Sequence, residues 1–176
     1  MEEFYLKDGR KVYVRPLEAG DFEGFCCFFE QLAEETIYTN QYPGRPRKSQ
    51  EAYNAQLYSE NFCRWVAIDE NGAIVGTCSI GIERADHPWL KHGAGFGIMF
   101  LKEYTGQGLG RFFMQKMEQW ARDKGVHRIS AEVRAKNVAA LALYLKCGFV
   151  VEGLARHAAF INNEWHDHYY ISKILD

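Results

Sequence analysis

With 176 residues, 47% of them hydrophobic and 25% charged, the chain has the make-up of an ordinary globular protein of one domain and leaves no room for long disordered segments. A formal net charge of -2 supplies no basic excess to neutralise a nucleic-acid backbone, so a nucleic-acid partner is not expected. The five cysteines are odd in number with no CxxC spacing, acids stand at Glu2 and Glu3 where a signal peptide needs a basic region, and no apolar run approaches a membrane span, so a cytoplasmic protein with reduced thiols and no membrane partner is expected.

Residues 11–17 alternate Val12 and Val14 with Tyr13 and Arg15, which predicts a strand ended by Pro16. Asp21 is expected to cap a helix whose core stripe is Phe22, Phe25, Cys26, Phe29, Leu32 and Ala33. Residues 38–47 hold Pro43, Gly44 and Pro46 and read as a loop, with Tyr38, Tyr42, Arg45, Arg47 and Lys48 available either to solvent or to a ligand. Ser49 can cap a short helix to about Tyr58. Residues 64–69 and 73–83 then read as two strands of a hairpin around Asn71-Gly72.

Residues 93–101 form the next strand, one face of which is bare because Gly93, Gly95 and Gly97 alternate with Ala94, Phe96 and Ile98. Such glycines mark a bulge or a close approach to the backbone, by a ligand or by a packed helix. From Gly108 to Gly125 an amphipathic helix carries Leu109, Phe112, Phe113, Met117, Trp120 and Ala121 on one side. Ile129, Ala131 and Val133 then alternate with polar residues, completing a strand-helix-strand unit whose two strands should be parallel. Asn137 caps a helix over 138–147 that closes at Gly148, and residues 149–161 and 165–175 read as a terminal hairpin around Asn162-Asn163.

The stretch Tyr104-Thr105-Gly106-Gln107-Gly108-Leu109-Gly110-Arg111 lies where the strand ends and the amphipathic helix begins. Glycine at alternate positions lets successive N–H groups converge on an anion at the positive end of the helix, and phosphate is the natural guest. A tight turn needing positive φ is the plainer alternative, although one glycine would serve it. Neither GxxxxGK[ST] nor GxGxxG is present, so the loop belongs to neither the P-loop nor the dinucleotide class. His166 and His168 alternate on a strand without a third ligand at suggestive spacing, so no metal is expected. No GxSxG nucleophile elbow exists, and Cys147 follows a helix, where nothing activates its thiol.

Residues 137–149 supply a second pattern, NxxAxxLYxxxGF, with Asn137, Ala140, Leu143, Tyr144, Gly148 and Phe149 in register. Taken with the glycine loop, this resembles the GNAT superfamily of acetyl-CoA-dependent N-acetyltransferases, over nearly the whole chain. The resemblance implies an α/β fold over 1–176, with a mixed, mostly antiparallel central sheet flanked by helices and a splayed parallel pair of strands forming the cleft for CoA. It implies acetyl-CoA as acetyl donor, its pantetheine arm along the backbone of Ile98, Met99 and Phe100 and its pyrophosphate on Gly106, Gln107, Gly108, Leu109, Gly110 and Arg111. Asn137 and Ala140 would contact the cofactor, and Tyr144 would direct its hydroxyl at the thioester sulfur as general acid. The acceptor would be a primary amine, on a small molecule or a protein, that attacks the thioester directly; homodimers are common in such families.

Two departures from the family stand out. Thr105 replaces the usual Arg or Gln beside the phosphates, which is expected to weaken cofactor binding without abolishing it. Many members carry a Glu early in the strand over 93–101, at the position of Gly95 here, so the base must be Glu83, Glu132, a histidine such as His92, or a water chain, with Glu83 as first choice. Loss of that acid also leaves open a catalytically silent CoA-binding regulatory or sensor module. A simple nucleotide-phosphate binder would keep the loop but has no use for the 137–149 pattern.

Overall fold

The computed structural model describes all 176 residues. Eight strands and four α-helices follow one another as β1 (Glu2–Tyr5), β2 (Lys11–Pro16), α1 (Phe22–Glu35), α2 (Gln50–Leu57), β3 (Phe62–Ile68), β4 (Ile74–Gly81), β5 (Gly93–Phe100), α3 (Leu109–Asp123), β6 (Arg128–Arg134), α4 (Val138–Lys146), β7 (Val150–Ile161) and β8 (Glu164–Ile174). The sheet order is β1-β2-β3-β4-β5-β6-β8-β7. Its recorded pairings are antiparallel except β5 with β6, which run parallel through Gly93↔Arg128, Ala94↔Ile129 and Gly95↔Ser130. The expected mixed, mostly antiparallel α/β sheet is therefore present. No helix is long and apolar enough to cross a membrane.

The chain divides into two units, Met1–Gly81 with Gly97–Met117, and Ile82–Phe96 with Glu118–Asp176. In the first, α1 buries Phe25, Cys26, Phe28, Leu32 and Ala33. Phe28 thus takes the core place expected of Phe29, whose ring meets Phe25 and Phe28 edge-on from a half-buried position. The expected Asp21 cap is also corrected: Asp21 makes no side-chain cap to α1. Its carboxylate instead accepts the Glu18 N–H at 2.8 Å and both Arg15 Nη donors at 2.7 Å, fixing a 3-10 turn at Ala19–Asp21. Ser49 caps α2 as expected by accepting the Ala52 N–H. β1 is an addition to the sequence reading.

The β3–β4 connection turns at Gly72, φ +85°, with the Asp69 carboxylate accepting the Asn71 and Ala73 N–H groups. β4 ends at Gly81, so Glu83 lies in the turn that follows and not in the strand expected over 73–83. On α3, Leu109, Phe113, Met114, Met117 and Ala121 are fully buried, each large side chain worth roughly 1.5–3 kcal/mol of burial, while Phe112 and Trp120 are only half-buried.

In the second unit Asn162 and Asn163 both take left-handed φ, +52° and +61°, as a two-residue hairpin turn between right-twisted strands requires. β7 carries irregularities at Val151/Gly153 and Ala155/Ala159. Arg128 and Ser172 both bind the Glu152 carboxylate, the Ser172 hydroxyl at 2.6 Å, and hold it at about 2, well below the usual range.

Candidate active site

The glycine loop belongs to the first unit. A 3-10 turn at Lys102–Tyr104 ends β5, and the Thr105 hydroxyl donates to the Lys102 carbonyl at 2.7 Å. The loop then passes through Gly106 and Gly108 at φ +73° and +97°, a region that L side chains avoid. A Cβ on Gly106 would meet nothing within 4 Å, whereas one on Gly108 would touch the Phe4 ring at 3.4 Å. Leu109 is buried in the core, so what it offers a ligand is its N–H. The first-turn N–H groups of α3 have no carbonyl partner within the helix. Arg111 is exposed beside them. Open space at Gly106 thus lies beside N–H groups that the helix leaves without a carbonyl partner.

Upstream, Phe100 gives its ring to the core: it occupies the space beside Gly76 and stacks on Phe113 at 5.7 Å. The Leu101 N–H bonds to Val75 at 3.0 Å. Ile98, Met99 and Phe100 are all half-buried, and Phe100 has only backbone left to offer a ligand.

Tyr144, Asn137 and Glu83 lie in the second unit. The Asn137 side chain caps α4 by accepting the Ala140 N–H at 3.2 Å, a bond that uses the amide oxygen and not the amide donors. Tyr144 is buried, its ring edge-on to Phe96 at 5.4 Å and tilted against Phe149 at 6.0 Å.

Around the missing strand acid the geometry is specific. A Cβ built on Gly95 would lie 2.6 Å from Glu83 Oε1, so the Glu83 carboxylate fills the space a side chain at 95 would take. The other candidate bases are otherwise engaged or placed. Glu132 lies 3.3 Å from His168 Nδ1, and Arg134 Nη1 lies 2.6 Å from His168 Nε2. His92 is exposed at the mouth of β5, its carbonyl accepting from His127 and Arg128. Because neighbours on a strand face opposite ways, Gly95 with Glu83 lies on one face of β5 and Phe96 with Tyr144 on the other.

None of the five cysteines forms a disulfide, and burial pushes the Cys78 thiol well up. His166 is buried and His168 is bound as described; no group of three His, Cys, Asp or Glu side chains gathers in a metal-holding arrangement.

Residues 25–149 match the Acetyltransferase (GNAT) family. The chain belongs to the GNAT family of acetyltransferases. It is accordingly an acetyl-CoA-dependent N-acetyltransferase. An L-amino acid N-acetyltransferase of Escherichia coli is 26% identical over 169 residues, covering 93% of this chain and 98% of that one. A spermidine N(1)-acetyltransferase of Vibrio cholerae is 26% identical over 162 residues, covering 89% of each. The crystal structure of a GNAT-family acetyltransferase from Streptococcus pneumoniae, 27% identical, superposes with a TM-score of 0.84 over 93% of this chain and 99% of that chain. The family match runs through both units of the acetyltransferase.

Proposed function

We propose that this acetyltransferase moves the acetyl group to a primary amine by direct attack, with Glu83 as general base and Tyr144 as general acid, in one catalytic domain spanning residues 1–176. The observation that carries the reading is the Glu83 carboxylate standing where a side chain at Gly95 would be. It supplies an acid at the strand position where many relatives carry one, from a different place in the sequence. The silent sensor module was motivated by the lack of that acid, and nothing favours it once Glu83 fills the space.

Bound acetyl-CoA supplies the activated thioester. Gly106 to Arg111 hold its pyrophosphate through backbone N–H groups, with the Arg111 charge beside them. The backbone of Ile98, Met99 and Phe100 binds the pantetheine arm as an added strand would. Asn137 contributes its amide donors. Thr105, its hydroxyl tied to Lys102, contributes little to the phosphates.

Glu83 accepts the proton that the acceptor nitrogen sheds as its N–C bond forms, and Tyr144 donates a proton to sulfur as the C–S bond breaks. Backbone N–H groups of β5 polarise the carbonyl. Acid and base flanking β5 from opposite faces suits a transfer in which the amine arrives from one side and the thiol leaves from the other. The relatives named above act on amino acids and on spermidine, so they support an amine acceptor without choosing one.

The test is kcat/KM of Glu83→Gln against the parent enzyme. A general base at this position predicts a drop on the order of 10²–10⁴-fold. An unchanged kcat/KM would remove Glu83 from the mechanism.

A further inference from the structure

Arg64, in the first unit, stands in the middle of the otherwise apolar β3 sequence FCRWVAI. Its guanidinium lies over the Phe25 ring at 4.9 Å and the Phe62 ring at 5.3 Å, and its Nε is buried without a hydrogen-bond partner. No ion pair of the chain includes it. Burial pushes the guanidinium down to about 10, so at neutral pH it stays a cation. The groups whose negative charge would offset it are the Cys78 thiol and the Tyr53 phenol. Burial pushes both of these up, the phenol to about 12, so both are neutral where the guanidinium is charged. The aromatic faces offset part of the desolvation, but they carry no net charge, and a buried cation is stable when an anion or a full set of acceptors faces it.

Arg64 lines a cavity of about 80 Å³ where the end of β2, the end of α2 and the start of β3 meet. Pro16, Leu17, Leu57 and Phe62 give it apolar walls, Gln56 brings an amide, and no Asp or Glu takes part. Phe62 is also one of the rings under the guanidinium, which sets the cation at the edge of this cavity. The sense of the Gln56 amide is fixed by Lys48, whose Nζ donates to Oε1 at 2.6 Å. An ammonium has only donors, so the amide oxygen must face it and Nε2 is the end with hydrogens left to give. Cavity, cation and amide all belong to the first unit.

Size and wall chemistry select among anions. An apolar cavity of about 150 Å³ takes benzene, so this one takes roughly four heavy atoms. A carboxylate meets the guanidinium fork with two parallel N–H···O bonds and brings one negative charge to one cation, while its carbons lie against the apolar walls. Phosphate would bring more charge and leave oxygens facing hydrocarbon. Chloride would use neither the fork nor the walls.

We infer that this cavity is a binding site for a short aliphatic carboxylate of the size of acetate or propionate, paired by Arg64, with Gln56 Nε2 as a further donor and the alkyl end against Leu17, Leu57 and Phe62. The ligand is a free acid and not an amino acid, because an α-ammonium would enter beside a cation with no acid in the walls to receive it. The site needs neither acetyl-CoA nor an acceptor amine.

The experiment titrates the ¹⁵N-labelled full chain with sodium propionate and follows the Arg64 Nε–H signal, identified by its absence in R64M. Propionamide, L-alanine, sodium chloride and sodium phosphate at matched ionic strength serve as comparisons. The expected result is a saturable shift with propionate at least about tenfold tighter than with any comparison, weakened about tenfold in Q56L. Propionate should also raise the melting temperature of the parent and not that of R64M. R64M exchanges a buried cation for an apolar side chain, so without propionate it should unfold no earlier than the parent. If R64M does not fold, R64K identifies the signal and the titrations of parent and Q56L decide. No saturable shift with propionate overturns the site, as does a propionate-dependent rise in melting temperature that survives in R64M. Propionamide, chloride or phosphate binding as tightly overturns the carboxylate, and L-alanine binding as tightly overturns the free acid as its source.

Discussion

Gly95→Ala isolates the geometry on which the mechanism rests. The added methyl would lie 2.6 Å from Glu83 Oε1, against at least 3.4 Å for an ordinary contact, so the carboxylate must retreat by about 0.8 Å. That is cheap for the fold, because the displaced atom ends a flexible side chain in a turn. Gly95 has no positive φ to lose, and alanine in a strand gains roughly 0.5–1 kcal/mol over glycine. It is expensive for the reaction, since a misplacement of about 1 Å at a reacting group can cost on the order of 10²-fold. The expectation is an unchanged or slightly raised melting temperature and kcat lowered by about 10–100-fold. The assay is thiol release from acetyl-CoA at saturating donor, with thermal unfolding of the same preparation. Gly95→Ala added to Glu83→Gln should cost nothing further, because the two act through one carboxylate. Full activity in Gly95→Ala, or additive losses in the pair, would refute the reasoning.

Tyr144→Phe keeps the ring against Phe96 and Phe149 and removes the hydroxyl; kcat should fall about 10²-fold with KM for acetyl-CoA nearly unchanged, read from steady-state kinetics. Asn137→Ala removes the cap on α4 and should destabilise the protein by about 0.5–2 kcal/mol in denaturant unfolding. Gly108→Ala forces a side chain into φ +97° against Phe4, and the resulting strain of about 1–2 kcal/mol should weaken acetyl-CoA binding about tenfold by calorimetry. The Glu152 carboxyl, held at about 2 by Arg128 and Ser172, gives a pH prediction. A depressed carboxyl contributes stability above its unfolded value near 4.3 and loses it as pH falls toward 2, so the parent should lose more stability than Glu152→Gln across that window in acid titration.

What the sequence discloses follows how local each feature is. The Asn162-Asn163 hairpin, the Ser49 and Asn137 caps and the glycine turn into α3 each depend on a few adjacent residues, and all were legible. The four residues of β1, mostly exposed at an edge, carry no alternation that distinguishes a strand. Asp21 was misread because its carboxylate had a stronger partner in Arg15, and Phe28 displaced Phe29 because a helix rich in aromatics lets tertiary packing choose the buried ring. In the site, the loop and the 137–149 pattern could be read from motifs. That Glu83 fills the space over Gly95 could not, since it depends on where β4 stops and how the chain returns to β5. Arg64 offered one signal, a charge inside an apolar strand, but its lack of an anionic partner emerges only from the packing around it.

The account is tested most directly by incubating the protein with acetyl-CoA and single primary amines, following free thiol and identifying the product by mass. It predicts amine-dependent thiol release with one N-acetylated product per thiol, reduced in Glu83→Gln and in Tyr144→Phe. Tight binding of acetyl-CoA with no release from any amine, or release that ignores both substitutions, would contradict it.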